Sequence, residues 1–143
     1  MNPAERIGIE RECERLMVDY AAHVDFRDYD AFANLFAEDG ELNLTGQPVR
    51  GRDAIRRAME IRPAGRESRH VITNLSVKII DENRAEGVCY LTLYRKDAAE
   101  GERRPFEHAG PEIVGDYHDV YVKRGSGWKF KSRRIKVAFR APA

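Results

Sequence analysis

Cysteine is scarce in this chain: Cys13 and Cys89 are the only two among 143 residues. Neither sits in a CxxC or a paired Cys/His spacing, so no zinc site is legible. Both fall within apolar patterns, as reduced core thiols do. Long hydrophobic runs are missing as well, and none could span a bilayer. The opening MNPAERIGIERE is charged and lacks an apolar h-region, so it reads as having no signal peptide. An excess of either charge is also absent. Lys and Arg number 25 against 24 Asp and Glu, interspersed, for a net charge of +1. Such a balance sets up no strong field toward nucleic acid or a membrane. A cytoplasmic, reducing setting is the expectation. Internal repeats and low-complexity tracts are not found either.

What is present is a sizeable apolar share, 42% of residues, enough for one packed core. The length fits a single domain, residues 1–143. Glu5–Val24 reads as an amphipathic helix, with Ile9, Cys13, Leu16, Met17, Tyr20 and Val24 recurring at three- and four-residue spacing. Asp25 continues the row Met17, Ala21, Asp25 at a border of that stripe. Asp28 is placed to cap a second helix with Tyr29, Phe32, Leu35 and Phe36 on its inner face, stopped by Gly40. A short strand follows at Glu41–Thr45, a turn at Gln47–Gly51, and a third helix at about Arg52–Ile61.

The period then changes to two. Strands are expected over Ser68–Ile80, Ala85–Lys96, Ile113–Lys123 and Trp128–Phe139. In the last, the apolar set moves from even positions (Trp128, Phe130) to odd ones (Ile135, Val137, Phe139), which predicts a β-bulge near Ser132. The charged loop Asp97–Glu112 is longer than a hairpin needs: a lid, an interface arm or a mobile tip. Arg133, Arg134 and Lys136 form a small basic cluster, either solvated strand surface or the source of a substrate-anchoring arginine. Three helices followed by long strands make an α+β domain. A curved sheet with helices against its concave face leaves a cavity, the default ligand site.

Two polar groups stand where an apolar framework would exclude them. His70, Ile72, Asn74 and Ser76 share one face of their strand. If that face lines the cavity, His70 and Asn74 do too, and Asp25 reaches the same space. A desolvated carboxylate without a partner costs roughly several kcal/mol, and an imidazole N–H is a natural partner. Such a pair is suited to removing a carbon-bound proton and returning it to a leaving hydroxyl. The plainer alternative is that Asp25 caps the next helix and His70 is a satisfied histidine of no chemical use.

Four phrases in order resemble a known family: DYDAFANLFAEDGEL, a GRDAI helix, RHVITNLSV, and GDYHDVYVKRGSGWKFKSRR. Together they resemble the SnoaL-like branch of the nuclear transport factor 2-like superfamily over nearly the whole chain. The implied fold is an α+β cone, a curved, barrel-like sheet wrapped over three N-terminal helices. Within the superfamily the chain looks most like the lineage of scytalone dehydratase, hexachlorocyclohexane dehydrochlorinase and bile-acid 7α-dehydratase. Those enzymes use an Asp at the end of the first helix and a His at the start of the long strand, the places of Asp25 and His70. A pocket tyrosine five residues before the Asp matches Tyr20. The dehydrochlorinase has a lysine there, which speaks against halide elimination. His108, His118 and His23 read as solvent or interface histidines.

The resemblance implies a cofactor-independent lyase (dehydratase) or isomerase acting on a hydrophobic small molecule, with a cyclic skeleton favoured. Its catalytic residues would be His70, Asp25 and Tyr20, and its substrate-binding residues Asn74 and Arg134. No metal and no cofactor are implied, and the partners expected are the substrate and copies of the chain, as a homodimer or homotrimer. The alternative is a non-catalytic ligand-binding protein or the small subunit of a ring-hydroxylating dioxygenase. An Asp–Arg–Asp water clamp cannot be assembled, because Asp116 and Asp119 lie on opposite faces of one strand.

Overall fold

A computed structural model describes residues 1–143. Helix α1 covers Pro3–Asp25. Asn2 caps it by accepting from the Glu5 backbone N–H, while the Glu5 side chain accepts from Asn2 in return. Its buried face is Cys13, Leu16, Met17, Tyr20, Ala21 and Val24, the stripe expected from the spacing. Asp28 then caps helix α2, Tyr29–Asn34, through the Ala31 N–H at 3.2 Å. Helix α3, Arg52–Glu60, buries Ile55 and Met59.

Six strands form one curved, unclosed sheet in the order β2-β1-β6-β5-β4-β3. They are β1 Phe36–Asn43, β2 Val49–Arg50, β3 Arg66–Asp81, β4 Arg84–Asp97, β5 Ile113–Arg124 and β6 Gly127–Arg140. All pairings are antiparallel except β1 with β6. The helices pack on one face, and the core lies between that face and α1. In β5 the alternation is regular: Ile113, Gly115, Tyr117, Asp119 and Tyr121 are buried, and the residues between them look outward.

The second helix ends earlier than its apolar spacing predicts. The chain is already extended at Phe36, and Gly40 lies inside β1 instead of stopping a helix. A Cβ at Gly40 would meet the Ala37 carbonyl oxygen at 2.9 Å and that of Phe130 at 3.0 Å. The close approach goes with a large register shift against β6, between Phe36 and Glu41. Phe36 is buried all the same, but as a strand residue.

Further irregularities decide what the sheet turns inward. In β3 the pairs Thr73–Tyr90 and Ser76–Val88 leave Asn74 and Leu75 opposite Cys89 alone. Asn74 adopts φ 53°, the left-handed region that asparagine tolerates better than most residues. Beyond that bulge Leu75, Val77 and Ile79 take the inner face, so the phase that begins with His70 and Ile72 is reversed. In β6, Val120 pairs with Ser132 and Tyr121 with Phe130, which makes Lys131 the extra residue. This is the bulge expected near Ser132. Even positions are buried before it, and Arg133, Ile135 and Val137 turn inward after it; a second shift, which leaves Ala138 extra, turns Phe139 outward against the expectation that it continues that set.

The 97–112 segment is anchored along the outer side of β3 and β4. Arg104 reaches Glu67 at 3.4 Å, and the His108 ring meets the Tyr94 ring at 5.7 Å. Residues 98–112 do not line the inner cavity described next.

Candidate active site

At one end of the sheet, between α1 and the inner faces of β3, β4, β5 and β6, lies a cavity of about 150 Å³. His70, Tyr20, Tyr117 and the arginines Arg62, Arg95 and Arg140 supply polar groups to a lining in which nine of fourteen residues are hydrophobic. The last turn of α1 delivers Asp25 to the start of β3. Its carboxylate accepts from the Ser68 hydroxyl at 2.8 Å, from the His70 backbone N–H at 2.9 Å, and from the His70 ring at 2.6 Å. An ionised carboxylate only accepts, so Nδ1 of His70 carries the proton in that contact. Both side chains are nearly sealed, with 10% of His70 and 7% of Asp25 exposed.

Burial pushes the Asp25 carboxyl up. The hydrogen bond and charge of the His70 ring, the His70 N–H and the Ser68 hydroxyl outweigh it and hold the group below the usual aspartate value. Ser68 is held in turn by Arg62, whose guanidinium also donates to the Val24 carbonyl and the Tyr29 hydroxyl. Nε2 of His70 has no protein partner, and the ring lines the cavity.

Tyr20 stands edge-on to His70, with ring centroids 6.4 Å apart and planes at 80°. Its hydroxyl is kept protonated by burial, partly offset by the nearby charge of Arg133. Below the tyrosines, Arg133 is fully buried and paired with an equally buried Asp119 at 2.8 Å and 3.0 Å. Tyr121 donates to the same carboxylate at 2.7 Å. The guanidinium lies 3.9 Å from the Tyr117 ring centre and 4.3 Å from that of Tyr20. Burial would lower the Arg133 pKa, but the charge of Asp119 more than compensates and keeps it cationic. Nη1 of Arg133 has no hydrogen-bond partner.

The expected site residues divide into two sets. His70, Asp25 and Tyr20 come together. Asn74 and Arg134 do not join them. Asn74 is spent on the β3 bulge and is exposed, and Arg134 falls after the Lys131 bulge, on the outer face. There it lines a polar groove of about 510 Å³ with His118, whose ring bonds Asp116. The arginine that enters the interior is its neighbour Arg133. The sequence pattern does not single out Ser68, Arg62 or Tyr117, and it raises Asp119 only for a water clamp that cannot be assembled. Ser68 had a usable signal, since it precedes His70 by two on one strand and so shares its face. Arg62 had none, because it lies in the turn after α3. No group of three or more His, Cys, Asp or Glu side chains is placed to hold a metal ion.

Comparison with known proteins gives the same frame. A model of the SnoaL-like domain matches residues 5–134. Terrestric acid biosynthesis cluster protein E of Penicillium crustosum is 25% identical over 118 residues, 80% of this chain and 74% of that protein. A scytalone-dehydratase-like protein of Novosphingobium aromaticivorans superposes with a TM-score of 0.82 at 24% identity, covering 98% of this chain and 91% of the other. LinA, a hexachlorocyclohexane dehydrochlorinase, superposes at 0.81 with 21% identity, over 100% and 95% of the two chains. The fold is that of the nuclear transport factor 2-like proteins, and the chain belongs to the SnoaL-like family.

Proposed function

We propose that the protein is a cofactor-independent lyase, a dehydratase, or an isomerase, acting on a hydrophobic small molecule through His70 and Asp25. One observation carries the reading: Asp25 occupies Nδ1 of His70 and leaves Nε2 free beside an apolar cavity. Nε2 takes a proton from a carbon next to a carbonyl. Asp25 holds the tautomer and balances the imidazolium that forms. The Tyr20 hydroxyl donates to the oxygen on which negative charge develops. In a dehydration the imidazolium returns the proton to a β-hydroxyl, which leaves as water. In an isomerisation it returns it to another carbon. The charge of Arg133 under the Tyr20 ring makes that hydroxyl a stronger donor.

The protein would act in the cytoplasm, where Cys13 and Cys89 stay reduced, and as a homodimer or homotrimer. The test is a screen of cyclic β-hydroxy ketones followed by His70→Ala. Turnover is expected to fall by about 10²–10⁴-fold, with a thermal midpoint close to wild type. A variant that keeps its turnover removes the mechanism and leaves a ligand-binding protein.

A further inference from the structure

The cavity lining combines apolar side chains with cationic ones. Three arginines line the cavity: Arg62 after α3, Arg95 on β4 and Arg140 at the end of β6. They are not equivalent. Arg95 is neutralised by Glu112 in a two-pronged contact of 2.8 Å and 3.1 Å. Arg62 donates only to neutral oxygens, those of Val24, Tyr29 and Ser68. Arg140 makes no ion pair and no side-chain hydrogen bond, although Ile113, its partner across the strand pair, joins β5 directly to Glu112.

No acid lines this space; the nearest in contact with its lining are Asp25, bonded to His70, and Glu112, bonded to Arg95. Asp25 is saturated by three donors, and Glu112 by Arg95. Set against two of the three guanidiniums, they leave one cationic charge over. Meanwhile Leu91, Leu93, Ile113 and Ile135 form apolar wall beneath it. A lone guanidinium at the edge of a greasy hollow is a poor neighbour for an uncharged hydrocarbon and a good one for a carboxylate, whose two oxygens fit its fork.

Resting on the acid/base reading above, we propose that the substrate is a carboxylic acid. Arg140 holds its carboxylate, and the apolar remainder extends toward His70. The anchored charge sets which carbon is presented to Nε2. It also makes neutral molecules of the same shape weaker ligands, without shutting them out.

The experiment reads binding, not turnover. Matched pairs of acid and amide serve as probes: benzoate with benzamide, and cyclohexanecarboxylate with its amide. Each is titrated calorimetrically into wild type and into Arg140→Gln. In wild type the acid should bind roughly tenfold more tightly than its amide, the scale of one charge-assisted contact. The preference should shrink as salt is raised. In Arg140→Gln it should fall to about threefold or less, with the amide unaffected. Arg140 is exposed and unbonded, so the fold has little to lose. Acids that bind no better than amides, acids that do not bind at all, or a preference that survives Arg140→Gln would each overturn the proposal. The two readings fail separately. Turnover of neutral hydroxy ketones without acid preference sinks this one alone; acid preference without any His70-dependent turnover sinks the other alone.

Discussion

Only one nitrogen of His70 lacks a protein partner, because the other belongs to the set of donors that Asp25 collects. A carboxylate at the end of a helix usually has water for company. This one accepts from a ring N–H, a backbone N–H and a hydroxyl, all within 2.9 Å. Its pKa is lowered, so the unfolded chain binds the proton more readily than the folded one. The contribution to stability is therefore present above the ordinary aspartate value of about 3.9 and is lost as pH falls through the lower folded value. Urea unfolding across pH 2–6 should show wild-type stability dropping in that acid window. Asp25→Asn should lose part of that slope, and with it turnover, because an amide cannot balance an imidazolium. An unchanged slope in the variant would mean that other carboxylates carry the whole acid response.

The buried pair Arg133–Asp119 is a different kind of ion pair. Neither side chain is exposed at all. Asp119→Ala strands a guanidinium among aromatic rings and should cost about 3–5 kcal/mol in denaturant unfolding, whereas replacing both partners by apolar residues should cost less than that single change. Cys89 and Tyr121 also contact the pair, and burial holds the Cys89 thiol up at about 11. If the single and double variants proved equally unstable, packing and not charge would be what the pair supplies.

At the scale of elements, the sequence was easiest to read where periodicity was unbroken. The stripe of α1, the alternation of β5 and the parity change in β6 were all legible, because burial imposes a period and these segments keep it. Interruption by one residue caused the errors. A bulge at Asn74 reverses the faces of β3, so a parity count begun at His70 misplaces every side chain beyond Thr73. In β6 the bulge itself was legible, but its location was not fine enough to choose between Arg133 and Arg134. Backbone crowding at Gly40 carries no side-chain signal. Pairing across strands, which sets where a bulge falls, lies outside any one segment. The β3 bulge is testable. Asn74→Gly should leave stability within about 0.5 kcal/mol, since glycine is unstrained at positive φ. Asn74→Val should cost about 1–2 kcal/mol or more. Equal effects of the two would contradict a left-handed residue at this position.

For the whole molecule, the face of the sheet away from the helices is the surface on which the proposed homo-oligomer would form. Strand pairing lays out its rows: Val71, Thr92, Val114 and Phe139 in one, Thr73, Tyr90, Asp116 and Lys136 in the next. Tyr90 is 51% exposed and Phe139 71% exposed, large apolar areas for a surface in water. Opposite charges stand side by side in the same patch: Asp116 lies across from Lys136 and also meets the His118 ring, with Arg134 a row on. A patch carrying both signs can complement a rotated copy of itself, as a closed symmetric assembly requires. None of these side chains lines the His70 cavity, which opens on the other face. Assembly and chemistry should therefore separate. Sedimentation of the wild type should give two or three times the 16.4 kDa chain mass. Tyr90→Asp, which places a charge in the middle of the apolar rows, should move the protein toward monomer while its circular dichroism stays native. A wild-type protein of single-chain mass at every concentration, or an oligomer indifferent to Tyr90→Asp, would show that this face is left to solvent.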